Sequence, residues 1–179
     1  MGIADPRESS SGGDSRSLIR EAGPADVAGI VALIGDVAAE NRWVRTEIPF
    51  DAAERERRMV ERMAPGEVVA FVAESNGTIV GELSLRVRGE RAVFGMVVAR
   101  GQRRRGIGRQ LVAAAIAKAR ERSVVCIEIE VYAHNRAAIK LYRTMGFVEH
   151  GERGTEERQD GSFWNVIRMR NNIGRLAGA

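Results

Sequence analysis

The chain has 179 residues, 44% hydrophobic and 29% charged, which suits one globular domain with a sizeable core and excludes a disordered chain. Its formal charge of +4 comes from 28 basic against 24 acidic residues, almost all the basic ones arginine, a balance that fits either nucleic acid or a phosphate-rich ligand. The single Cys126 excludes an internal disulfide and any zinc spacing, and no apolar run reaches the roughly 18–20 residues of a membrane span.

Met1–Pro6 carries no apolar signal core, which points to the cytoplasm. Residues 1–16 are rich in Ser and Gly and read as a disordered tail, ahead of a domain over 17–170 and a short tail over 171–179. Ser17–Arg20 is a short edge strand. Asp26 is placed to cap a helix with the apolar stripe Ile30, Leu33, Ile34 and Val37, fading near Asn41. The stretch 42–50 is a loop with Trp43, Glu47 and Phe50, and Pro49 bars regular structure in it. Asp51 caps a second, charged helix that runs to about Met63 and ends at Ala64-Pro65-Gly66. Strands 68–74 and 78–87 form a hairpin about Asn76-Gly77. After a turn at Gly89–Arg91 comes strand 92–98, then a basic loop containing glycines, then a helix to Arg122.

Residues 124–132 alternate, with Val125, Ile127, Ile129 and Val131 on one face and Glu128, Glu130 and Tyr132 on the other. Cys126, inside the apolar run 124–127, reads as a core thiol. Asn135 caps a helix with apolar positions Ala138, Leu141, Tyr142 and Met145, and Gly146 stops it. Strands 147–158 and 163–170 pair about Gln159–Ser162. This order predicts an α/β fold: a mixed, mostly antiparallel seven-stranded sheet with four helices on both faces, and one parallel step from strand 92–98 to strand 124–132.

The loop between that strand and its helix, Val98-Ala-Arg-Gly-Gln-Arg103-Arg104-Arg105-Gly106-Ile107-Gly108-Arg109, has the makings of a phosphate site at a helix start. Gly101 and Gly106 have the spacing of a nucleotide P-loop, but Ile107-Gly108 stands where Lys-Ser/Thr is required. Gly106-x-Gly108 opens like a dinucleotide fingerprint, but its third glycine is Leu111. What remains, Arg103-x-x-Gly106-x-Gly108, resembles the Q/R-x-x-G-x-G/A motif of the GNAT family of N-acetyltransferases. Val98 and Arg103 keep the family's approach to the loop, with Arg100 in place of its usual proline. Downstream, Asn135-x-x-Ala138-x-x-Leu141-Tyr142-x-x-x-Gly146-Phe147 is similar to the family's second segment at every fixed position.

The resemblance spans about Ser17 to Arg170 and implies acetyl-CoA as co-substrate, with no metal. It places the cofactor on the backbone of Met96, Val97 and Val98, on the loop Arg103, Arg104, Arg105, Gly106, Ile107, Gly108 and Arg109, and on Asn135 and Tyr142. At least two of the four arginines must point elsewhere, since consecutive side chains do not share one direction. Acetyl transfer to an amine needs a proton acceptor for an ammonium that is almost wholly protonated at pH 7, a backbone donor for the oxyanion, and a proton for the departing thiolate. By resemblance Tyr142 supplies the last, and Met96–Val98 supply the oxyanion donor. Glu130, twelve residues before Tyr142, stands where enzymes similar to the ribosomal-protein alanine acetyltransferases carry a catalytic glutamate. Glu128 shares its face, so either carboxylate or a water chain remains open as the base.

Trp43, Glu47 and Phe50 fall where the family's acceptor-side loop lies, while His134 and His150 lack ligand spacing and read as surface or packing residues. The expected activity is direct attack in a ternary complex on a primary amine. A small-molecule amine is favoured over a protein N-terminus or lysine, and either over a non-catalytic acyl-CoA sensor. The expected partners are acetyl-CoA and that amine, with no membrane and, for want of aromatic platforms, no nucleic acid; pairing of two copies stays open.

Overall fold

The computed structural model describes residues 17–151 and 154–174, so the tail expected over 1–16 lies outside the described residues. The elements are β1 (Leu18–Glu21), α1 (Val27–Ala39), α2 (Ala52–Met63), β2 (Val68–Ser75), β3 (Thr78–Arg88), β4 (Arg91–Val98), α3 (Ile107–Glu121), β5 (Cys126–Tyr132), α4 (Arg136–Thr144), β6 (Val148–Glu149), β7 (Gly154–Glu157) and β8 (Phe163–Asn172). They build one sheet in the order β1-β2-β3-β4-β5-β8-β6, with β7 also on β8. Every pairing is antiparallel except β4 with β5. The mixed α/β architecture is the expected one. Its eighth strand arises because the segment expected as one strand over 147–158 is two pieces, β6 and β7, that share β8 as partner.

Local signals account for most boundaries. Asn76 and Gly77 both have positive φ, 50° and 73°, as a two-residue hairpin turn requires. Asp51 accepts the Glu54 N–H at 2.9 Å and caps α2. Asp26 does otherwise. A single 3-10 turn over Pro24–Asp26 precedes α1, and the Asp26 carboxylate takes the Gly23 N–H at 2.8 Å and the Arg20 guanidinium at 2.7 Å. β8 runs two residues past Arg170.

The helices cover both faces of the sheet. On one, α3 and α4 pack Leu111, Val112, Ala115 and Ile139 against Leu83, Phe94 and Ile127. On the other, α1 packs Ile30, Leu33 and Val37 against Ala70, Val72 and Val97, and α2 adds Met59 and Met63. β2 is buried on both faces from Val68 to Ala73, which is why its sequence is an unbroken apolar run. Cys126 departs from expectation: alternation along β5 turns it to the Glu128 face, where it is half-buried rather than in the core. That partial burial still pushes its thiol up, away from the thiolate.

One irregularity of the sheet creates the site. β4 and β5 are in register only at Arg91–Cys126, Ala92–Ile127 and Val93–Glu128. Beyond these pairs the two strands part, and β4 continues to Val98 bonded to β3 alone.

Candidate active site

The gap between β4 and β5 opens into a cleft of about 1610 Å³ whose lining reaches from the basic loop to the loop 43–46. At one end is the phosphate cradle. α3 begins at Ile107, because Gly106 sits at φ 82° and turns the chain into the helix. Arg104 is also left-handed, at φ 68°. The first hydrogen bond of α3 runs from Gln110 N–H to Gly106 O at 3.1 Å. The N–H groups of Ile107, Gly108 and Arg109 therefore project from the helix start without a helical acceptor, where the dipole favours an anion. A Cβ on Gly108 would lie 3.1 Å from the Leu141 side chain and 3.4 Å from that of Met96, so a glycine here gives α3 the tightest approach to α4 and β4. The cradle therefore suits a pyrophosphate in both shape and charge.

The four arginines divide. Arg104 and Arg109 line the cleft and Arg105 does not. Arg103 is committed elsewhere: its guanidinium grips both oxygens of Glu40, and its Nε donates to Val98 O at 2.9 Å. Glu40 also accepts the Trp43 indole N–H at 2.8 Å, and the Arg103 pair holds its carboxyl below the usual range. Arg103 thus clamps the end of α1 to the end of β4, and only its backbone is left for a phosphate.

Along β4, Ala99 N–H bonds Val80 O, so by alternation Val97 and Gly95 also point their backbone groups at β3. The N–H groups of Met96 and Val98 then face the gap. Of the three residues expected to receive the pantetheine arm, these two have donors free for it and for an oxyanion. Asn135 caps α4, its side chain accepting Ala138 N–H at 3.1 Å, and lines the cleft. Tyr142 is 7% exposed, with its ring 5.8 Å from those of Phe94 and Phe147. Burial drives its phenol well above the ordinary value, so at neutral pH the group is a proton donor.

The carboxylates occupy the opposite face of the sheet. Glu130 has one oxygen 2.8 Å from Arg45 and the other 3.0 Å from Arg168, so both already hold guanidinium protons. Glu128 is tied to Arg91 at 3.2 Å. A third carboxylate, which the sequence reading passed over, is Glu82 on β3. It is 3% exposed, lines the same cleft, and has no ion pair within bonding distance among the described residues. Burial raises its carboxyl to about 7, against the opposing pull of a Ser84 hydrogen bond and the charge of Arg55. The available signal was a lone acid in the apolar run Val80–Leu85.

Residues 35–147 match the Acetyltransferase (GNAT) family. The chain belongs to that family. Its sequence is 27% identical over 164 residues to an L-methionine sulfoximine/L-methionine sulfone acetyltransferase of Pseudomonas aeruginosa, covering 87% of this chain and 94% of the relative. Its structure is similar to a ribosomal-protein-alanine N-acetyltransferase from Brucella melitensis, with TM-score 0.77, 30% identity, and 87% and 99% of the two chains covered. A phosphinothricin acetyltransferase from Sinorhizobium meliloti, solved in complex with acetyl-CoA, shares the fold at TM-score 0.79, 18% identity and 92% of each chain. Acetyl-CoA is the co-substrate of the GNAT family, and the cradle and free strand edge fit it.

In this GNAT chain the loop after α1 lines the end of the cleft away from the cradle. Trp43 and Phe50 line the cleft as expected, whereas Glu47 turns away to pair with Arg158 at 2.6 Å. Arg158, 4% exposed, also donates to Tyr132 Oη at 2.7 Å and Arg45 O at 3.2 Å, and lies 4.5 Å over the Trp164 ring. His134 stacks on Tyr132 at 5.5 Å and sits 2.6 Å from Arg42 O, a packing role that fixes the same loop. Among the described residues, no helix is long and apolar enough to cross a membrane.

Proposed function

We propose that the protein transfers the acetyl group of acetyl-CoA to the primary amine of a small, anion-bearing molecule of the amino-acid type, by direct attack in a ternary complex. The observation that carries the acceptor class is a set of arginines without a carboxylate partner. Arg55 and Arg62 on α2 and Arg86 on β3 line the cleft, and among the described residues none has a carboxylate at ion-pair distance. Arg55 is half-buried 5.3 Å from the Phe50 ring, and desolvation pulls its guanidinium down, the state of a cation that gains from an anionic guest. A polyamine would meet repulsion there. The names of the Pseudomonas relative and of the Sinorhizobium neighbour point the same way, since both denote acetylation of small amino-acid-like compounds.

On this reading the cradle of Gly106–Arg109 holds the pyrophosphate, and Met96 and Val98 N–H groups hold the arm and the carbonyl oxygen. Tyr142 gives its phenolic proton to the leaving sulfur. Glu130, gripped by two arginines, serves to place Arg45 and Arg168 on the acceptor wall. The test is thiol release with four acceptor sets: α-amino acids including methionine sulfone, their methyl esters, polyamines, and peptides with free N-termini. Amino acids are expected to turn over and their esters to lose at least tenfold in kcat/KM. Turnover of peptides alone would reject the small-molecule reading. Tyr142→Phe is expected to lower kcat about 10²-fold while acetyl-CoA still binds.

A further inference from the structure

We infer that Glu82 is the catalytic residue that takes the proton from the acceptor's ammonium, a role resting on the acetyl-transfer reading above. Its position is the first reason. Glu82 and Val97 are directly opposed on β3 and β4, as a bonded pair with Cα atoms about 5.5 Å apart, so the carboxylate stands beside the stretch of β4 that has parted from β5. Two residues along the same face, Ser84 is opposite Gly95, and a Cβ on Gly95 would meet nothing within 4 Å. The missing side chain leaves the cleft open down to Ser84 and Glu82.

Its partners are the second reason. Ser84 Oγ donates to Oε1, and among the described residues no hydrogen bond reaches Oε2. The neighbours on the flanking strands are Val72 on β2 and Val97 on β4. α1 contributes Ile34 and Val37 to this wall; α2 contributes Met59 and Arg55, the cation whose charge acts on Glu82, and Glu54, Arg58 and Arg62 of the same helix also line the cleft. Arg86 lies four residues along the same face, and Glu128 and Glu130 lie across the gap with their own arginines. Glu82 is therefore a carboxylate in apolar surroundings with one oxygen uncommitted, titrating near neutrality as a general base at physiological pH should.

The protons balance. An acceptor R–NH3⁺ gives one proton to Glu82, which later passes it to solvent. The amine nitrogen bonds to the thioester carbonyl carbon as the C–S bond breaks. The sulfur takes the Tyr142 proton, and the second proton leaving nitrogen restores the phenol. The products are R–NH–CO–CH3, the free thiol of CoA and one released proton.

The test is Glu82→Gln beside wild type, with Glu128→Gln and Glu130→Gln as comparisons. In wild type, kcat/KM is expected to rise with pH through about 7. Glu82→Gln is expected to lose that limb and about 10²-fold or more in kcat at pH 8, with acetyl-CoA affinity unchanged, and Glu82→Asp to fall between. A readout independent of turnover is carboxyl ¹³C NMR of the acetyl-CoA-free protein: one glutamate signal titrating near pH 7 that Glu82→Gln removes. Retention of rate and pH limb in Glu82→Gln, or movement of the limb to Glu128→Gln or Glu130→Gln, would overturn the assignment alone. Wild-type protein that binds acetyl-CoA but acetylates no amine would overturn the acetyl-transfer reading, and the assignment with it.

Discussion

Burying Glu82 costs the fold stability, and the cost has a pH signature. Its carboxyl moves from an ordinary 4.5 in the unfolded chain to about 7 in the folded one. Between those values the folded protein holds a proton that the unfolded chain has released, so the folded state gains from acid and loses stability as pH rises. At about 1.4 kcal/mol per tenfold change, the full loss from pH 4 to pH 8 is about 3 kcal/mol. Glu82→Gln keeps the shape and the Ser84 contact but has no proton to lose. The substitution is therefore expected to be near neutral at pH 4 and to stabilise by about 3 kcal/mol at pH 8, or about 6–12 °C in melting temperature for a domain of this size. Asp26 and Glu40, whose carboxyls are held low by Arg20 and Arg103, slope the opposite way but are present in both proteins and cancel in the difference. Urea unfolding of the ligand-free pair at half-unit steps from pH 4 to 8 measures it. A difference that stays flat across pH 4.5–7 would refute the claim that Glu82 is buried as a strained acid. A stabilised variant that has lost turnover is what a site paid for in stability should give.

Two further substitutions test other parts of the site. Gly106→Ala forces a side chain into φ 82° at the start of α3 and is expected to cost about 1–2 kcal/mol. It should also weaken acetyl-CoA binding at least tenfold by calorimetry; unchanged affinity would show that the phosphates bind elsewhere. Arg158→Met removes the buried cation that joins Glu47, Tyr132 and the Arg45 carbonyl, leaving Glu47 without a cation and with the Gln159 N–H as its remaining donor, and is expected to destabilise by about 3–5 kcal/mol. Adding Glu47→Gln should recover part of that loss in denaturant, and absence of any recovery would mean the two side chains are not coupled.

The legible parts of the molecule are those whose causes are local. The Asn76-Gly77 hairpin, the Asp51 and Asn135 caps and the helical stripes each depend on residues a few positions apart, and they stand where the pattern puts them. The cradle is likewise one contiguous run from Val98 to Arg109. What stayed hidden depends on distant partners. Arg103 stood in the motif as a phosphate arginine, but its guanidinium is taken by Glu40, 63 residues away. Glu130 shared a face with Glu128 by alternation, yet alternation says nothing of Arg45 and Arg168 closing on it from two other segments. Glu82 shows the limit best. The period of two assigns its face, but its burial comes from α1 and α2 packing over that face, and its opening to the cleft from Gly95 on the next strand.

This division has a functional consequence. The cradle proposed for the donor is made of backbone N–H groups from one segment, which side-chain substitutions leave in place as long as Gly106 holds its left-handed turn. The wall proposed for the acceptor is lined by side chains on α2, β3, β5, β8 and the loop 42–50, so one exchange there changes charge in the cleft without touching the cradle. The base proposed above is such an arrangement: a glutamate on β3 beside a glycine on β4, two positions outside the motif, next to the free edge of β4.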